Sequence, residues 1–133
     1  MVSGRMPRMS DNASRPRIDF DVVALDTADP RGLADFYCTL LGWEVTEADD
    51  DWVTLSGNGG ARLAFQLAPD HVPPSWPSGP VPQQVHLDLR VDDLDAAAAY
   101  AESVGAHRVP DAEQPGDFIV FLDPSGHPFC LCS

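Results

Sequence analysis

Two short patterns in the sequence carry side chains that can do chemistry. His86 and Asp88 are separated by one residue, and so are Cys130 and Cys132. An imidazole beside a carboxylate can act as a general base, and an imidazole with thiolates can bind Zn²⁺. On a strand, residues two apart share a face with their Cα atoms about 6.5–7 Å apart. The spacing therefore predicts reactive side chains on one strand face, as a general base or as metal ligands.

Alternation of apolar and polar residues predicts which face these side chains occupy. Residues 62–68 and 85–91 both alternate, as half-buried strands do, with one apolar face and one polar face. Trp52 shares strand parity with Thr54 and is a candidate to line a cleft next to the polar faces. The polar candidates on these faces are Arg62, Gln66, His86, Asp88 and Arg90.

Helices must position these strands, and both predicted helices have clear ends. Asp29 is a good N-cap, Pro30 suits the first helical position, and Gly42 ends the element after apolar residues at three- and four-residue steps. In the second half, Asp92 and Gly105 bound a helix in the same way. Both intervals are 13 residues, which indicates an internal repeat.

The whole chain follows this repeat, with the order βαβββ in each half. The register places residues 65–67 on residues 129–131 and Val23 on His86. Each half is too small to bury a core comfortably alone, so the halves are expected to associate within the chain or with a second chain. The predicted strands are residues 18–26, 43–47, 52–56, 62–68, 85–91, 106–109, 118–122 and 128–132.

The domain organisation follows from composition. Residues 1–17 are predicted to form a disordered basic tail, and residues 18–133 a single domain. Its two modules, residues 18–68 and 84–132, are joined by a proline-rich linker at residues 69–83, which contains six prolines. Such a segment favours extended structure, and it either covers a cleft or merely connects the halves.

Charge and cysteine usage limit the partners. The 133-residue chain has 21 acidic residues against 8 basic ones, for a net charge of −13. Nucleic acid and anionic membranes would repel such a body, so neither is an expected partner. No apolar run resembles a signal peptide or a membrane span, which favours a cytoplasmic location. The three cysteines are expected to be reduced, and His71, His107 and His127 are interpreted as surface or turn residues.

These motifs together resemble a known superfamily. Residues 29–43, the strand at 85–89 and the Asp-Pro-x-Gly-His-Pro-Phe-Cys segment at 123–130 are similar to the vicinal oxygen chelate superfamily. The resemblance is to its glyoxalase-like branch, which includes glyoxalase I, bleomycin-resistance proteins and extradiol dioxygenases. It implies an α+β fold, in which tandem βαβββ repeats form a curved mixed-sheet cleft, and a homodimer.

The resemblance also implies four positions for metal ligands, which fall here on Val23, Gln66, His86 and Cys130. Val23 has no donor atom, so the candidate metal ligands are His86, Gln66 and Cys130, an incomplete set for Zn, Ni, Mn or Fe. A shifted register would let other neighbours complete the set. Those neighbours are Asp21, Asp88 and Cys132. No cofactor is predicted to be obligatory.

The sequence therefore supports a glyoxalase-like protein that binds a small organic molecule in the cleft between its two modules. The alternative is a divalent-metal-dependent lyase, isomerase or dioxygenase with His86 as a ligand. A third hypothesis is a metal-free enzyme in which Asp88 orients His86 as a general base. The sequence leaves open whether the protein is an enzyme. The candidate ligand-binding residues are Trp52, Arg62, Gln66, His86, Asp88, Arg90 and Cys130.

Overall fold

A computed structural model of the chain describes residues 15–110 and 118–133. Most of the predicted N-terminal tail, residues 1–14, lies outside the described residues. The elements run in the order βαβββ–βαβββ, with a short 3₁₀ turn at Asn58–Gly60 before the fourth strand. They are β1 (Val23–Thr27), α1 (Pro30–Leu41), β2 (Glu44–Ala48), β3 (Trp52–Ser56), β4 (Arg62–Leu67), β5 (Leu87–Arg90), α2 (Leu94–Ser103), β6 (His107–Arg108), β7 (Ile119–Leu122) and β8 (Pro128–Cys132).

Capping residues define both helices. The Asp29 carboxylate accepts a hydrogen bond from the Gly32 backbone N–H at 3.0 Å, and Gly42 ends α1 in the left-handed conformation with φ of 70°. This ending is inexpensive because glycine has no Cβ. The N-cap of α2 is Asp93, which accepts from Ala96, so the prediction of Asp92 as the cap is wrong by one residue. Neither helix is long and apolar enough to cross a membrane, and none other occurs in the described ranges.

The strands form two four-stranded sheets, one for each module. The first sheet has the order β1-β4-β3-β2 and the second β5-β8-β7-β6. In each sheet the first strand pairs in parallel with the last, and the other neighbours are antiparallel. The repeated order and pairing confirm the predicted tandem βαβββ fold.

The helix-covered faces of the two sheets share one apolar core. Phe36 of α1 lies 6.1 Å from Phe129 of β8 between ring centroids, and Tyr37 stacks on Phe65 at 5.5 Å. The core continues through Leu33, Phe121 and other residues of both modules, all nearly inaccessible to solvent. Each module thus buries apolar surface that it could not bury alone. The polar face of each sheet lies on the side away from this core.

A buried polar junction joins the modules inside this core. The Tyr37 hydroxyl donates to Asp123 Oδ2 at 2.7 Å, while Asp123 Oδ1 accepts from the backbone N–H groups of Ser125 and His127. Burial raises the pKa of Asp123, and these hydrogen bonds oppose part of that rise. Burial and the neighbouring Asp123 charge raise the pKa of Tyr37 well above its ordinary value. The network satisfies a carboxyl group that would otherwise be costly to bury.

Three predicted strands are at least two residues shorter than expected, and one of them, β6, has two of its four predicted residues. The other two, β1 and β5, begin late. The first strand starts at Val23, which pairs with Leu63 near the start of β4, and residues 18–22 extend beyond this pairing. The fifth strand starts at Leu87, so Val85 and His86 precede it. In both cases the apolar alternation continues past the point where the partner strand ends. Alternation of apolar and polar residues indicates which residues are compatible with a strand, whereas backbone pairing with a neighbouring strand determines the length of the strand.

Candidate functional site

The polar face of the second sheet brings three chemically capable side chains together. The strand register places Asp88 of β5 beside Cys130 of β8, and Cys130 beside Val120 of β7. His86, just before β5, reaches the same face. Donor atoms of His86, Asp88 and Cys130 lie within 4.8 Å of one another. Of the seven predicted site residues, these are the three that form a cluster.

His86 and Asp88 interact directly. The His86 Nε2 atom lies 3.2 Å from Asp88 Oδ1, and both side chains are more than a third exposed. On a regular strand, residues two apart have Cα atoms about 6.5–7 Å apart, so the sequence did not establish whether the two side chains meet. His86 lies just before β5, and from there its side chain reaches Asp88. A carboxylate in this position can orient the imidazole, which a general base requires. Solvent exposure keeps the ion-pair contribution to stability small.

Cys130 is buried and resists ionisation. Burial is the main cause that raises the pKa of its thiol to about 11, and the charges of Asp88 and Cys132 and a hydrogen bond to Asp88 add to the rise. The group is therefore a neutral thiol near pH 7. All three cysteines are free, and Cys130 lacks the electropositive surroundings that activate a nucleophilic cysteine.

The cluster fits a borderline-soft divalent metal in donor type. An imidazole nitrogen, a carboxylate oxygen and a thiol sulfur are the ligand types that Zn²⁺ accepts, and three protein ligands leave a position for water or substrate. Gln66 lies on β4 of the first sheet. Within the second module, the donor atoms that lie together are those of His86, Asp88 and Cys130.

The strand register corrects the alignment of the two modules. Leu25 pairs with Phe65, and Leu87 pairs with Phe129, so the residue that corresponds to His86 is Ala24 and not Val23. Val23 packs against the apolar core. On the same register Asp26 pairs with Gln66, as Asp88 pairs with Cys130. The first module therefore offers a carboxylate and a carboxamide, without an imidazole.

The polar face of the first sheet carries Trp52, Arg62 and Gln66, whereas the remaining candidate, Arg90, lies on β5 of the second sheet and pairs with Cys132. Trp52 and Thr54 share this face, as predicted, and the Trp52 indole N–H donates to Thr54 Oγ1 at 2.7 Å. Arg62, at the start of β4, forms an ion pair with Asp21, so its guanidinium already has a carboxylate partner. Gln66 is exposed. These three side chains thus belong to the first sheet, whereas the His86, Asp88 and Cys130 cluster belongs to the second module.

The proline-rich segment contacts the second sheet, which the sequence alone did not establish. Trp76 packs against a small apolar cluster that contains Val109, Val120 and Cys130. No hydrogen-bond partner is found among the described residues for the buried Trp76 indole nitrogen or the buried Gln83 side-chain oxygen. The segment therefore covers part of the polar face beside Cys130, where Trp76 is a site-lining residue that no periodic pattern indicates.

Two histidines interpreted as surface or turn residues also take part in this region. The rings of His71 and His127 lie 4.8 Å apart between centroids. The nitrogen Nε2 of His71 lies 2.9 Å from the Ser125 carbonyl, and Nε2 of His127 lies 2.6 Å from the Asp26 carbonyl. They connect the proline-rich segment to the turn before β8 and to β1. His107 is exposed on β6.

Comparison with known proteins agrees with this architecture. A family model described as "Glyoxalase-like domain" matches residues 22–132. The chain is 34% identical over 123 residues to "Uncharacterized protein YaeR" of Escherichia coli (strain K12), an alignment that covers 83% of this chain and 89% of that protein.

Solved structures share the fold at low sequence identity. The fosfomycin resistance protein FosX of Listeria monocytogenes, solved with Mn(II) and sulfate, is 15% identical with a TM-score of 0.64, covering 86% of this chain and 89% of its own. The bleomycin-binding protein of Streptomyces verticillus, solved with copper(II)-bleomycin, is 21% identical with a TM-score of 0.57, covering 90% and 98%.

Proposed function

The chain belongs to the glyoxalase-like domain family, and from this premise we propose that it binds a small organic molecule in a cleft between βαβββ modules, without requiring a metal. The observation that carries the proposal is the incomplete donor set. Ala24 has no ligand atom at the position that corresponds to His86. A metal held jointly by both modules would lack this ligand, whereas a polar, partly aromatic cleft can bind a ligand directly.

The cleft is proposed to form in a homodimer. Within the chain, the helix-covered faces share a core, so the parts of the polar faces that the proline-rich segment leaves uncovered are available to a second copy. Ile18 and Phe20 precede β1 and are 79% and 83% exposed. Apolar side chains this exposed favour burial against a partner. We place this dimer in the cytoplasm, with neither nucleic acid nor membrane as a partner.

The exposed side chains suggest how a ligand would be held. Trp52 offers an aromatic surface for stacking, Gln66 a carboxamide, and Arg90 a guanidinium. The structural neighbour from Streptomyces verticillus binds an organic ligand as its copper complex, which supports ligand sequestration as one form of this function.

Protein-observed NMR tests the proposal. A set of small heteroaromatic compounds would be screened against untagged protein after EDTA treatment. We expect saturable shifts at the Trp52 indole N–H and at residues 86–90, and weaker binding in H86A. H107A changes an exposed histidine elsewhere and should bind normally. Binding that appears only after a metal is added would contradict the proposal, and so would equal losses in both variants.

The second candidate is a metal-dependent lyase, isomerase or dioxygenase. It is favoured by the donor atoms of His86, Asp88 and Cys130, which lie within 4.8 Å of one another in one module. A bound divalent metal would polarise an oxygen atom of the substrate and stabilise negative charge that develops there. The neighbour FosX was solved with Mn(II).

Elemental analysis separates the two candidates. Untagged protein would be measured before and after chelation and after incubation with Zn²⁺, Mn²⁺, Fe²⁺ or Ni²⁺. Near-stoichiometric metal that is lost in H86A and C130S, but retained in Q66A, would support the metal-dependent enzyme. Absence of bound metal after every incubation would contradict it.

A further inference from the structure

A cavity lies between β1 and the proline-rich segment, and none of His86, Asp88 and Cys130 lines it. Its volume is about 270 Å³, room for about nine water-sized groups. It shares no residue with the cluster. A ligand on the order of ten non-hydrogen atoms would fill it.

Most residues that line this cavity are apolar, and its polar lining residues are Asp26, His71, Gln84 and His127. Val72 and Val85 line it and are 60% and 50% exposed, among the most exposed large apolar side chains described. Pro74 and Pro82 add rigid apolar surface. An apolar ligand body would cover surface that water now contacts, which is favourable by about 25 cal/mol per Å².

Asp26 supplies the charge. It is exposed, and it is the one carboxylate among the described lining residues, where neither arginine nor lysine occurs. The chain as a whole carries a net charge of −13, so its field attracts cations to this face.

The two imidazoles strengthen the preference for a hydrogen-bond donor. Nε2 of His71 and Nε2 of His127 each face a backbone carbonyl, which only accepts, so each Nε2 donates. In a neutral imidazole, Nδ1 is then an acceptor. Gln84 also lines the cavity, and its side-chain amide can donate or accept a hydrogen bond. The set of polar groups therefore matches a cation that donates hydrogen bonds.

We propose that this cavity binds a small organic ammonium ion, with its charged head on Asp26 and its apolar body against the valine and proline walls. Its lining includes Ala24 and Asp26 of the first sheet and none of His86, Asp88 and Cys130, and its ligand class goes beyond the proposed function. Loss of ligand binding in H86A would leave the cavity intact.

Benzylamine is a suitable probe because it is protonated near neutral pH and has the required size. Benzyl alcohol has the same shape without the charge, and benzoate carries the opposite charge. Binding would be followed by NMR on the full chain. We expect saturable shifts at Val72, Val81 and Val85 with benzylamine, and far weaker ones with the other two compounds.

Two matched variants locate the charge. D26N and D50N each remove one exposed negative charge, so they change the net charge equally, and Asp50 follows β2 at the opposite edge of the first sheet from β1. D26N should weaken benzylamine binding about tenfold or more, and D50N should leave it unchanged. The proposal would be overturned by equal binding of benzyl alcohol, by wild-type binding in D26N, by equal loss in D50N, or by shifts that centre on residues 86–90.

Discussion

At the scale of single residues, Cys130 shows how burial, with a smaller contribution from a neighbouring carboxylate, determines the chemistry of a thiol. Its thiol has a pKa of about 11, so only about one molecule in ten thousand carries the thiolate at pH 7. Burial is the main cause, and the Asp88 carboxylate, which pairs with it across the strands, adds to the effect. A metal would have to displace this proton in order to bind the sulfur.

Replacing Asp88 should therefore make Cys130 more reactive. D88N removes a negative charge and an acceptor that hold the proton, so the pKa of the thiol should fall and alkylation by iodoacetamide at pH 8 should accelerate severalfold. Mass spectrometry can assign the label to Cys130 and not to Cys132. D26N, the corresponding carboxylate of the first module, is the control and should not change the rate. A slower reaction in D88N would show that the carboxylate activates the thiol.

Tyr37 stabilises the buried Asp123 carboxyl by donating a hydrogen bond. Y37F removes this donor and should lower the free energy of unfolding by about 1.5–3 kcal/mol at a pH where Asp123 is ionised, as expected for hydrogen bonds to charged groups. Because the hydrogen bond lowers the pKa of Asp123, its loss should raise that pKa further. Urea unfolding and a carboxyl ¹³C titration measure the two effects.

The sign of the pH dependence follows from the raised pKa of Asp123. Its stabilising contribution is fully present below the unfolded value of about 3.9 and is lost as the pH rises through the folded pKa. Y37F should extend this loss to higher pH, so its stability deficit should shrink as Asp123 becomes protonated. A deficit independent of pH would mean that Tyr37 acts through packing alone.

At the scale of elements, periodicity and capping predicted the two modules well. The helix ends at Asp29 and Gly42 and the strand Trp52–Ser56 agree with the structure. The alignment of the modules was wrong by one residue, placing Val23 instead of Ala24 opposite His86. A one-residue slip reverses the face of every side chain on a strand. The first strand of each module, β1 or β5, pairs with the last strand of its module in a slightly different register. The sequence contains no direct signal of this difference in register.

The proline-rich segment lay beyond sequence reasoning for a different reason. It has no apolar period, so neither the contact of Trp76 with Val120 nor the cavity near His71 leaves a pattern in the sequence. Its position depends on long-range fit. Gly126, in the turn before β8, lies so close that a Cβ would be 2.5 Å from Pro73 Cβ.

A pair of glycine substitutions measures this fit. Gly126 and Gly59 both have positive φ, 86° and 73°, but a Cβ on Gly59 would meet nothing within 4 Å. G59A should therefore lower the free energy of unfolding by about 1 kcal/mol, the cost of placing a side chain in a left-handed conformation. G126A should lose about 1–3 kcal/mol more, because Pro73 must move, and should speed hydrogen exchange in residues 71–76. Equal losses in thermal unfolding would mean that the segment is loosely held.

At the scale of the whole molecule, the shared core determines which surfaces remain for function. Because both helix-covered faces are buried together, the exposed segment before β1 and the parts of the polar faces outside the proline-rich segment are left to meet other molecules. One chain thus has a complete core, while its seven candidate site residues are divided between two separate faces. A second copy that placed the first sheet of one chain opposite the second sheet of its partner would unite them in one cleft.

This arrangement predicts a homodimer that depends on the segment before β1. Burial of Ile18 and Phe20 against a partner would contribute about 1.5–3 kcal/mol for each side chain. I18S/F20S should therefore weaken association about tenfold or more in sedimentation equilibrium, with little effect on the fold by circular dichroism. Y100S removes a large exposed apolar side chain, 48% accessible on α2, and should leave association unchanged. A monomeric wild-type chain at high micromolar concentration, or equal weakening in both variants, would contradict a cleft built from two chains.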